Sequence, residues 1–181
     1  MELVYFFIII LIIIAIIAII YINYYNQIQY KITKIEKAEF SIDEILRERY
    51  SLVIRANDVI QKKLKEKKNY LKEYTNLKTD TLSTFDVDQK LKDAFSIILN
   101  LTNDNKVLNK DDSMQEIIIE LKITEERLSA AKAYYNRNTE EYNEVIRKVP
   151  SNIISNIHNF KVKAFFDRKD MQDEDELDFK L

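Results

Sequence analysis

The stretch Leu3–Ile22, LVYFFIIILIIIAIIAIIYI, decides the fold of this chain because it is 20 residues long, apolar throughout and free of charge. At about 1.5 Å of rise per residue, a helix of this length covers ~30 Å, which is the thickness of a hydrocarbon core. Most of its residues are Leu, Ile, Val or Phe. Together they favour membrane insertion by about 8 kcal/mol. The stretch predicts a single transmembrane anchor over residues 1–24.

A signal peptide or a soluble core helix fits the apolar stretch less well. A cleaved signal peptide starts with basic residues and ends in small ones, whereas this chain starts Met1-Glu2 and leaves the run through Tyr21, Tyr24 and Tyr25. A buried helix of a soluble protein is usually shorter. The three tyrosines favour a membrane boundary, where amphipathic rings prefer to lie.

The charges on either side of the span predict its orientation. Only Glu2 precedes the span, whereas Lys31, Lys34 and Lys37 follow it. Because basic loops stay in the cytoplasm, we expect the extreme N-terminus outside the cell membrane and the rest of the chain in the cytoplasm.

The composition excludes several classes of chemistry. The chain has no Gly, no Cys and one Pro, Pro150, and His158 is its one histidine. Disulfides, thiolate or histidine metal clusters, cysteine catalysis and Gly-rich phosphate loops are therefore ruled out. The net charge of −2 gives no indication of nucleic-acid binding. We expect a protein without catalytic residues, metal or cofactor.

Helical periodicity dominates the rest of the chain. Residues 26–78 carry an apolar stripe at three- and four-residue steps, which predicts either one helix or two, because Ser41-Ile-Asp-Glu44 could form a capping box with Phe40 and Ile45 as its hydrophobic staple. Asp86 or Asp88 is predicted to cap a helix through Leu101, and a loop is expected over 102–112.

A second capping box, Ser113-Met-Gln-Glu116, predicts the start of a long helix that ends at Val149, before Pro150. Ser151 is expected to cap a short final helix. The fold class is therefore all-α: an anchor followed by an antiparallel up-and-down bundle of three or four helices over 25–166. The alternative is a parallel homodimeric coiled coil on a membrane stalk. Residues 167–181 form an acidic tail that is predicted to be disordered.

Two charged residues interrupt the apolar stripes. Arg49 lies between Leu46 and Val53, and Glu125 lies between Leu121 and Leu128 on the inward stripe of the long helix. Because a lone buried charge is costly, we predict that Arg49 and Glu125 form an ion pair in the interior. The alternative is that Arg49 extends to solvent and Glu125 lies at the rim.

A repeated dipeptide marks the long helix. Tyr135-Asn136 and Tyr142-Asn143 are seven residues apart, so they share nearly the same helix face. This face is either a recognition surface for a ligand or partner or simply the packing face of an amphipathic helix.

The chain also resembles the LemA family of bacterial membrane proteins over Leu3 to Phe166. The resemblance is carried by the span with Tyr25-Asn26, the segment Ile42–Leu52 around Arg49, Glu125-Glu-Arg-Leu-Ser-Ala-Ala-Lys-Ala-Tyr-Tyr135-Asn136 with Tyr142-Asn143, Pro150-Ser-Asn152, and Phe160 with Phe165-Phe166. It implies a helical bundle behind a single span. It also implies that no biochemical role is agreed, with membrane proteases or phosphatase-like domains as possible partners.

Three functional hypotheses follow. The first is a non-catalytic scaffold or interaction protein at the inner face of a bacterial membrane, with the lipid bilayer and another membrane protein as partners. The second is a ligand-binding or sensor domain that uses the face of Tyr135, Asn136, Tyr142 and Asn143. The third, a hydrolase with Glu125 as general base, has the least support. The sequence does not determine the oligomeric state.

Overall fold

A computed structural model describes residues 1–64, 70–75, 77 and 82–166 of the protein. Within these ranges it contains helices and no strand, which confirms the all-α prediction. The helices are α1 (Glu2–Leu64), α2 (Lys72–Thr75), α3 (Thr84–Asp104), α4 (Lys106–Asn109), α5 (Asp112–Arg147) and α6 (Ser151–Ile157). The predicted disordered tail, residues 167–181, lies outside the described residues.

Helix α1 is continuous from the apolar run into the part of the chain that carries the first stripe. It passes through Ser41 without interruption, so the one-helix alternative is correct as far as Leu64 and the Ser41–Glu44 sequence starts no helix. The physical reason is the unbroken phase of the stripe: Ile35, Ile42 and Ile45 on either side of Ser41 are all buried, and a break would misalign them. Residues 65–69, 76 and 78 of the predicted stretch lie outside the described residues.

Helices α3 and α5 are each capped by a side chain that comes a few residues before the predicted capping residue. Ser83 caps α3, since its Oγ accepts from Asp86 N at 3.2 Å and donates to Asp86 Oδ2 at 2.6 Å. The prediction that Asp86 or Asp88 is the cap was therefore wrong. At the start of α5, Oδ1 of Asp111 accepts from Met114 N at 3.0 Å, so the prediction that Ser113 begins the helix was also wrong. Both caps satisfy otherwise unpaired amides of a first turn.

The predicted loop over 102–112 is shorter than expected. Helix α3 continues to Asp104, and the side chain of Asn105 then caps the four-residue helix α4 by accepting from Val107 N at 2.9 Å. An Asn in this position provides the acceptor that a helix start needs.

The connection between α5 and α6 also differs from the prediction. Helix α5 ends at Arg147, two residues before the predicted end at Val149, and Val149 is 79% exposed. Ser151 does not cap α6; its hydroxyl donates to the carbonyl oxygens of Val145 and Lys148 at 2.5 and 2.8 Å. It therefore satisfies acceptors at the end of α5, which have no partner within that helix.

The chain divides into two compact units. The first unit comprises residues 1–37 and 134–181, and the second unit comprises residues 38–133. The core of the first unit is a cluster of Ile28, Ile35, Tyr142, Ile146 and Ile154. The second unit buries apolar side chains of α1, α3, α4 and α5, among them Leu52, Val53, Leu91, Ile98, Leu108, Met114 and Leu121.

One segment of the described residues is long and apolar enough to cross a membrane, and it lies in the N-terminal part of α1. None of the residues in that apolar segment is buried. The first buried residue of α1 is Ile28. The helix therefore changes from a fully exposed apolar segment to a packed one at the three tyrosines, which lie against the core cluster of the first unit.

Candidate functional site

Four side chains of α5 in the first unit form a ladder that binds an extended part of the chain. They are Tyr135, Asn136, Tyr142 and Asn143, the two repeated dipeptides, and we call them the Tyr-Asn ladder. Their occupant is the segment 160–166, which follows α6 and has no helical structure. The seven-residue repeat aligns the four groups along one face of α5.

Asn143 makes the most complete contact of the ladder. Its Nδ2 donates to the carbonyl oxygen of Lys163 at 2.8 Å, and its Oδ1 accepts from the amide of the same residue at 2.9 Å. The side-chain amide thus pairs with a peptide group as a neighbouring β-strand would. Seven residues earlier, Oδ1 of Asn136 accepts from Phe166 N at 2.8 Å.

The two tyrosines complete the ladder. The hydroxyl of Tyr142 donates to the carbonyl oxygen of Lys161 at 2.9 Å, and that of Tyr135 donates to the carbonyl oxygen of Ala164 at 3.1 Å. These four hydrogen-bonding side chains reach main-chain atoms of the segment, and the ring of Tyr135 also packs edge-on against the ring of Phe166, with 6.4 Å between the ring centroids. An extended segment outside a sheet lacks partners for its peptide groups, and the ladder supplies five of the hydrogen bonds it needs.

Burial affects the titration of the ladder. Desolvation raises the pKa of Tyr142 above its ordinary value of 10.0, because a phenolate is poorly solvated among apolar groups. The ring of Tyr142 belongs to the core cluster of the first unit. The phenol therefore remains protonated and able to donate throughout the physiological pH range.

The predicted ion pair lies in the second unit. The side chain of Arg49 is fully buried, and its Nη1 donates to Oε2 of Glu125, whose side chain is 38% exposed. The structure therefore brings the two residues together, with the guanidinium inside and the carboxylate toward the rim. The Nε and Nη2 atoms of Arg49 have no hydrogen-bond partner among the described residues.

A second buried charge contact was not predicted from the sequence. Asp88 is 1% exposed, and its Oδ2 accepts from Nζ of Lys132 and lies 3.4 Å from Nζ of Lys92. Desolvation lowers the pKa of Lys132, and the hydrogen bond to Asp88 opposes that shift. The sequence does indicate that Lys132 points inward. The inward stripe of α5 passes from Leu128 to Tyr135, and Lys132 occupies the i+4 position after Leu128.

The described ranges were predicted to hold no metal-binding cluster, and two of their candidate chemical groups, His158 and Glu125, have side-chain partners. No group of three or more His, Asp or Glu side chains there could hold a metal ion. The ring nitrogen Nε2 of His158 contacts the hydroxyl of Tyr21, and Glu125 is held by Arg49.

A known protein family matches most of the chain. The family model of LemA matches residues 38–179, which is most of the chain and includes Arg49, Glu125 and the whole ladder. The chain therefore belongs to the LemA family, as the resemblance predicted. Searches of curated protein sequences and of solved structures found no match.

Proposed function

We propose that this LemA family chain is a non-catalytic scaffold protein, anchored in the cell membrane by the N-terminal part of α1. The observation that carries the proposal is the exposure of the whole apolar window of α1. A core helix of a soluble protein would bury those residues, whereas lipid is a favourable environment for them. The tyrosines at positions 21, 24 and 25 support a boundary at the end of the run.

An antiparallel helical bundle beyond the anchor is part of this proposal. Its support is the order of ion pairs that α1 makes in the second unit with α5 and with Asp111, the residue just before α5: the partner's residue number falls as the number on α1 rises. The pairs are Arg49–Glu125, Arg55–Glu120 and Lys63–Asp111. Helices that run in opposite directions produce this order.

Membrane fractionation tests the anchor. We expect the full-length chain to remain in the membrane pellet after an alkaline wash. An Ile12→Lys/Ile13→Lys variant should move to the supernatant, because two charges at the centre of the span remove several kcal/mol of insertion energy. An Ile119→Lys/Ile123→Lys variant is the matched control and should stay in the pellet. A wild-type chain that is soluble without detergent would overturn the proposal.

The absence of cysteine makes the orientation directly measurable. A membrane-impermeant maleimide should label a Glu2→Cys variant in intact cells. It should label a Ser129→Cys variant, at an exposed position of α5, only after permeabilisation. The reverse pattern would place the C-terminal part outside.

The proposed partner is another membrane protein, and an exposed apolar pair on α5 is a candidate contact. Ile119 and Ile123 are 57% and 50% exposed and lie one turn apart. A photo-crosslinker at Ile123 should yield a specific adduct in native membranes, and the same crosslinker at the exposed Ser129 should not. Equal adducts at both positions would indicate random collisions.

A ligand-binding or sensor function of the Tyr-Asn ladder is the second candidate. The observation in its favour is that four aligned polar side chains bind an extended main chain, here the segment 160–166 of the same molecule. A ligand would have to displace that segment. Thermal-shift screening of the wild type should find compounds whose effect disappears in Tyr142→Phe and Asn143→Ala. A library with no such compound would count against this function.

A further inference from the structure

Helix α6 has apolar side chains that are exposed and not buried. Ile153 and Ile157 are 57% and 65% exposed, although Ile154 between them is buried in the core cluster of the first unit. Val149, four residues before Ile153, is 79% exposed. Residues 149, 153 and 157 are spaced by four, which places the two helical isoleucines on one side of α6. A large exposed apolar patch marks a contact surface.

The end of α6 lies beside the end of the apolar run of α1. The ring of His158 contacts the hydroxyl of Tyr21 and lies 4.9 Å from the ring of Tyr25, measured between centroids. Phe160 joins the same cluster, 6.3 Å from Tyr25. Tyr21 is the next-to-last residue of the run, so α6 ends at the level where α1 leaves the hydrocarbon core.

The dimensions of a bilayer match this position. Ile28, which shares the core cluster with Ile154, is six residues beyond Ile22, or about 9 Å along the helix. The headgroup layer on each side of the hydrocarbon is roughly 5–7 Å thick. At that level Ile154 lies just outside the headgroup layer. His158, which directly follows α6, contacts Tyr21 inside the apolar run, so the C-terminal end of α6 with Ile157 reaches the boundary between headgroups and acyl chains, where amphipathic helices settle.

The charge of the surrounding segment is also suited to a lipid surface. Residues 147–163 contain four basic residues, Arg147, Lys148, Lys161 and Lys163, and no acidic one. Such a segment is attracted to the anionic headgroups of a cytoplasmic leaflet.

We propose that α6 is an interfacial helix, with Ile157 and Ile153 inserted into the headgroup region of the bilayer that α1 spans. The proposal rests on the membrane anchor argued above. It assigns α6 a lipid-binding role that fixes the first unit against the membrane at a second point beside the span.

Depth-dependent fluorescence quenching of the full-length chain tests this inference. Single labels are attached to Ile153→Cys, Ile157→Cys, Ile13→Cys and Tyr134→Cys variants reconstituted in vesicles of phosphatidylcholine and phosphatidylglycerol. We expect labels at 153 and 157 to be quenched several-fold more by nitroxides near the headgroups than by nitroxides deep in the acyl chains. Tyr134 is a matched control, since it is a 47% exposed apolar residue of the same unit, and its label should show no quenching.

The label at Ile13→Cys separates the two proposals. Strong quenching there by deep nitroxides, with no quenching at 153 and 157, would overturn the interfacial helix and leave the anchor intact. No quenching at Ile13→Cys would overturn the anchor itself. The label at 153 could instead be shielded from water in detergent without lipid at high protein concentration, and remain unquenched in vesicles. That result would assign the patch to a protein contact and would also overturn the inference.

Discussion

The two compact units use polar side chains in their interiors for different purposes. The second unit places opposite charges between helices, with Arg49 of α1 against Glu125 of α5 and Asp88 of α3 against Lys132 of α5. The first unit has a partly exposed pair of α1 and α5, Lys31 with Glu141, and its more deeply buried polar groups are the neutral phenols and amides of the Tyr-Asn ladder, which bind main-chain atoms. Charge pairs select a particular partner side chain, whereas neutral groups can bind any peptide group.

The difference has an energetic side. In the second unit, Nε and Nη2 of Arg49 and Oδ1 of Asp88 lack partners among the described residues, so the charges are desolvated but incompletely compensated. Neutral donors and acceptors cost less to bury and are nearly satisfied by one or two hydrogen bonds. We therefore expect the second unit to be the more sensitive to loss of a polar partner and the first unit to respond locally.

The largest effect is expected from Glu125→Ala. It leaves the fully buried guanidinium of Arg49 without its anion, which should lower the free energy of unfolding by about 3 kcal/mol, measured by urea denaturation in detergent solution. The matched control is Arg49→Met/Glu125→Gln, which removes both charges and should lie within about 1 kcal/mol of the wild type. A loss below about 1 kcal/mol for Glu125→Ala would show that the pair is solvated like a surface one.

Asp88→Asn should have the next largest effect, about 2 kcal/mol, because Lys132 loses its charged acceptor but stays desolvated. The pKa of Lys132 should fall further, as measured by NMR titration of the lysine side chains. Since its folded pKa lies below the unfolded value of 10.5, the unfolded chain binds more protons between the two values, and stability rises with pH through that window. Lys92→Met, which removes a half-exposed and more distant cation, should change both quantities less.

Asn143→Ala breaks two hydrogen bonds to Lys163 and should cost about 1–2 kcal/mol. We expect the loss mainly as faster amide hydrogen exchange at Lys163, with the second unit unaffected. Asn136→Ala is the matched variant, since it breaks one bond, to Phe166, and should release less of the segment. Faster exchange throughout α3 in the Asn143 variant would contradict the local role.

Tyr142→Phe should have the smallest effect at neutral pH, about 1 kcal/mol, and a distinctive effect in alkali. Because the folded pKa of Tyr142 is raised above 10.0, the unfolded chain loses its proton first, and stability falls as the pH rises above about 10. The Tyr142→Phe variant should lack the part of this fall in stability that comes from ionisation of Tyr142. Tyr135→Phe serves for comparison, and equal alkaline curves for wild type and Tyr142→Phe would contradict the assignment.

The contrast between the two units also bears on what could be predicted from the sequence. Arg49 and Glu125 could be paired in advance because each replaces an apolar residue in a regular stripe, and a buried charge requires a counter-charge. Asp88 was interpreted as a helix cap because it lies near the start of α3, and nothing in the pattern connected it with Lys132. A stripe shows that a side chain points inward, but it does not show which helix it faces.

The contacts of the ladder could not be foreseen for a different reason. The seven-residue repeat places Tyr135 and Tyr142 on one face, but an extended segment such as 160–166 carries no periodic signal for what binds it. The predictions of the capping residues were wrong by a few positions. Ser83 and Asp111 cap α3 and α5 in place of Asp86 and Ser113, because several acceptors lie near each helix start and the boundary residue is poorly determined by sequence.

The hydrogen bonds of the ladder have a consequence for sequence variation among related proteins. Because they reach only backbone atoms of residues 161, 163 and 164, these hydrogen bonds place no demand on which side chains stand there, whereas Phe166 also packs its ring against Tyr135 of the ladder. Proline is the exception at 163 and 166, since it lacks the amide hydrogen that Asn143 and Asn136 accept. We therefore expect substitutions of varied chemistry at positions 161, 163 and 164, whereas the two asparagines that bind the backbone should resist replacement.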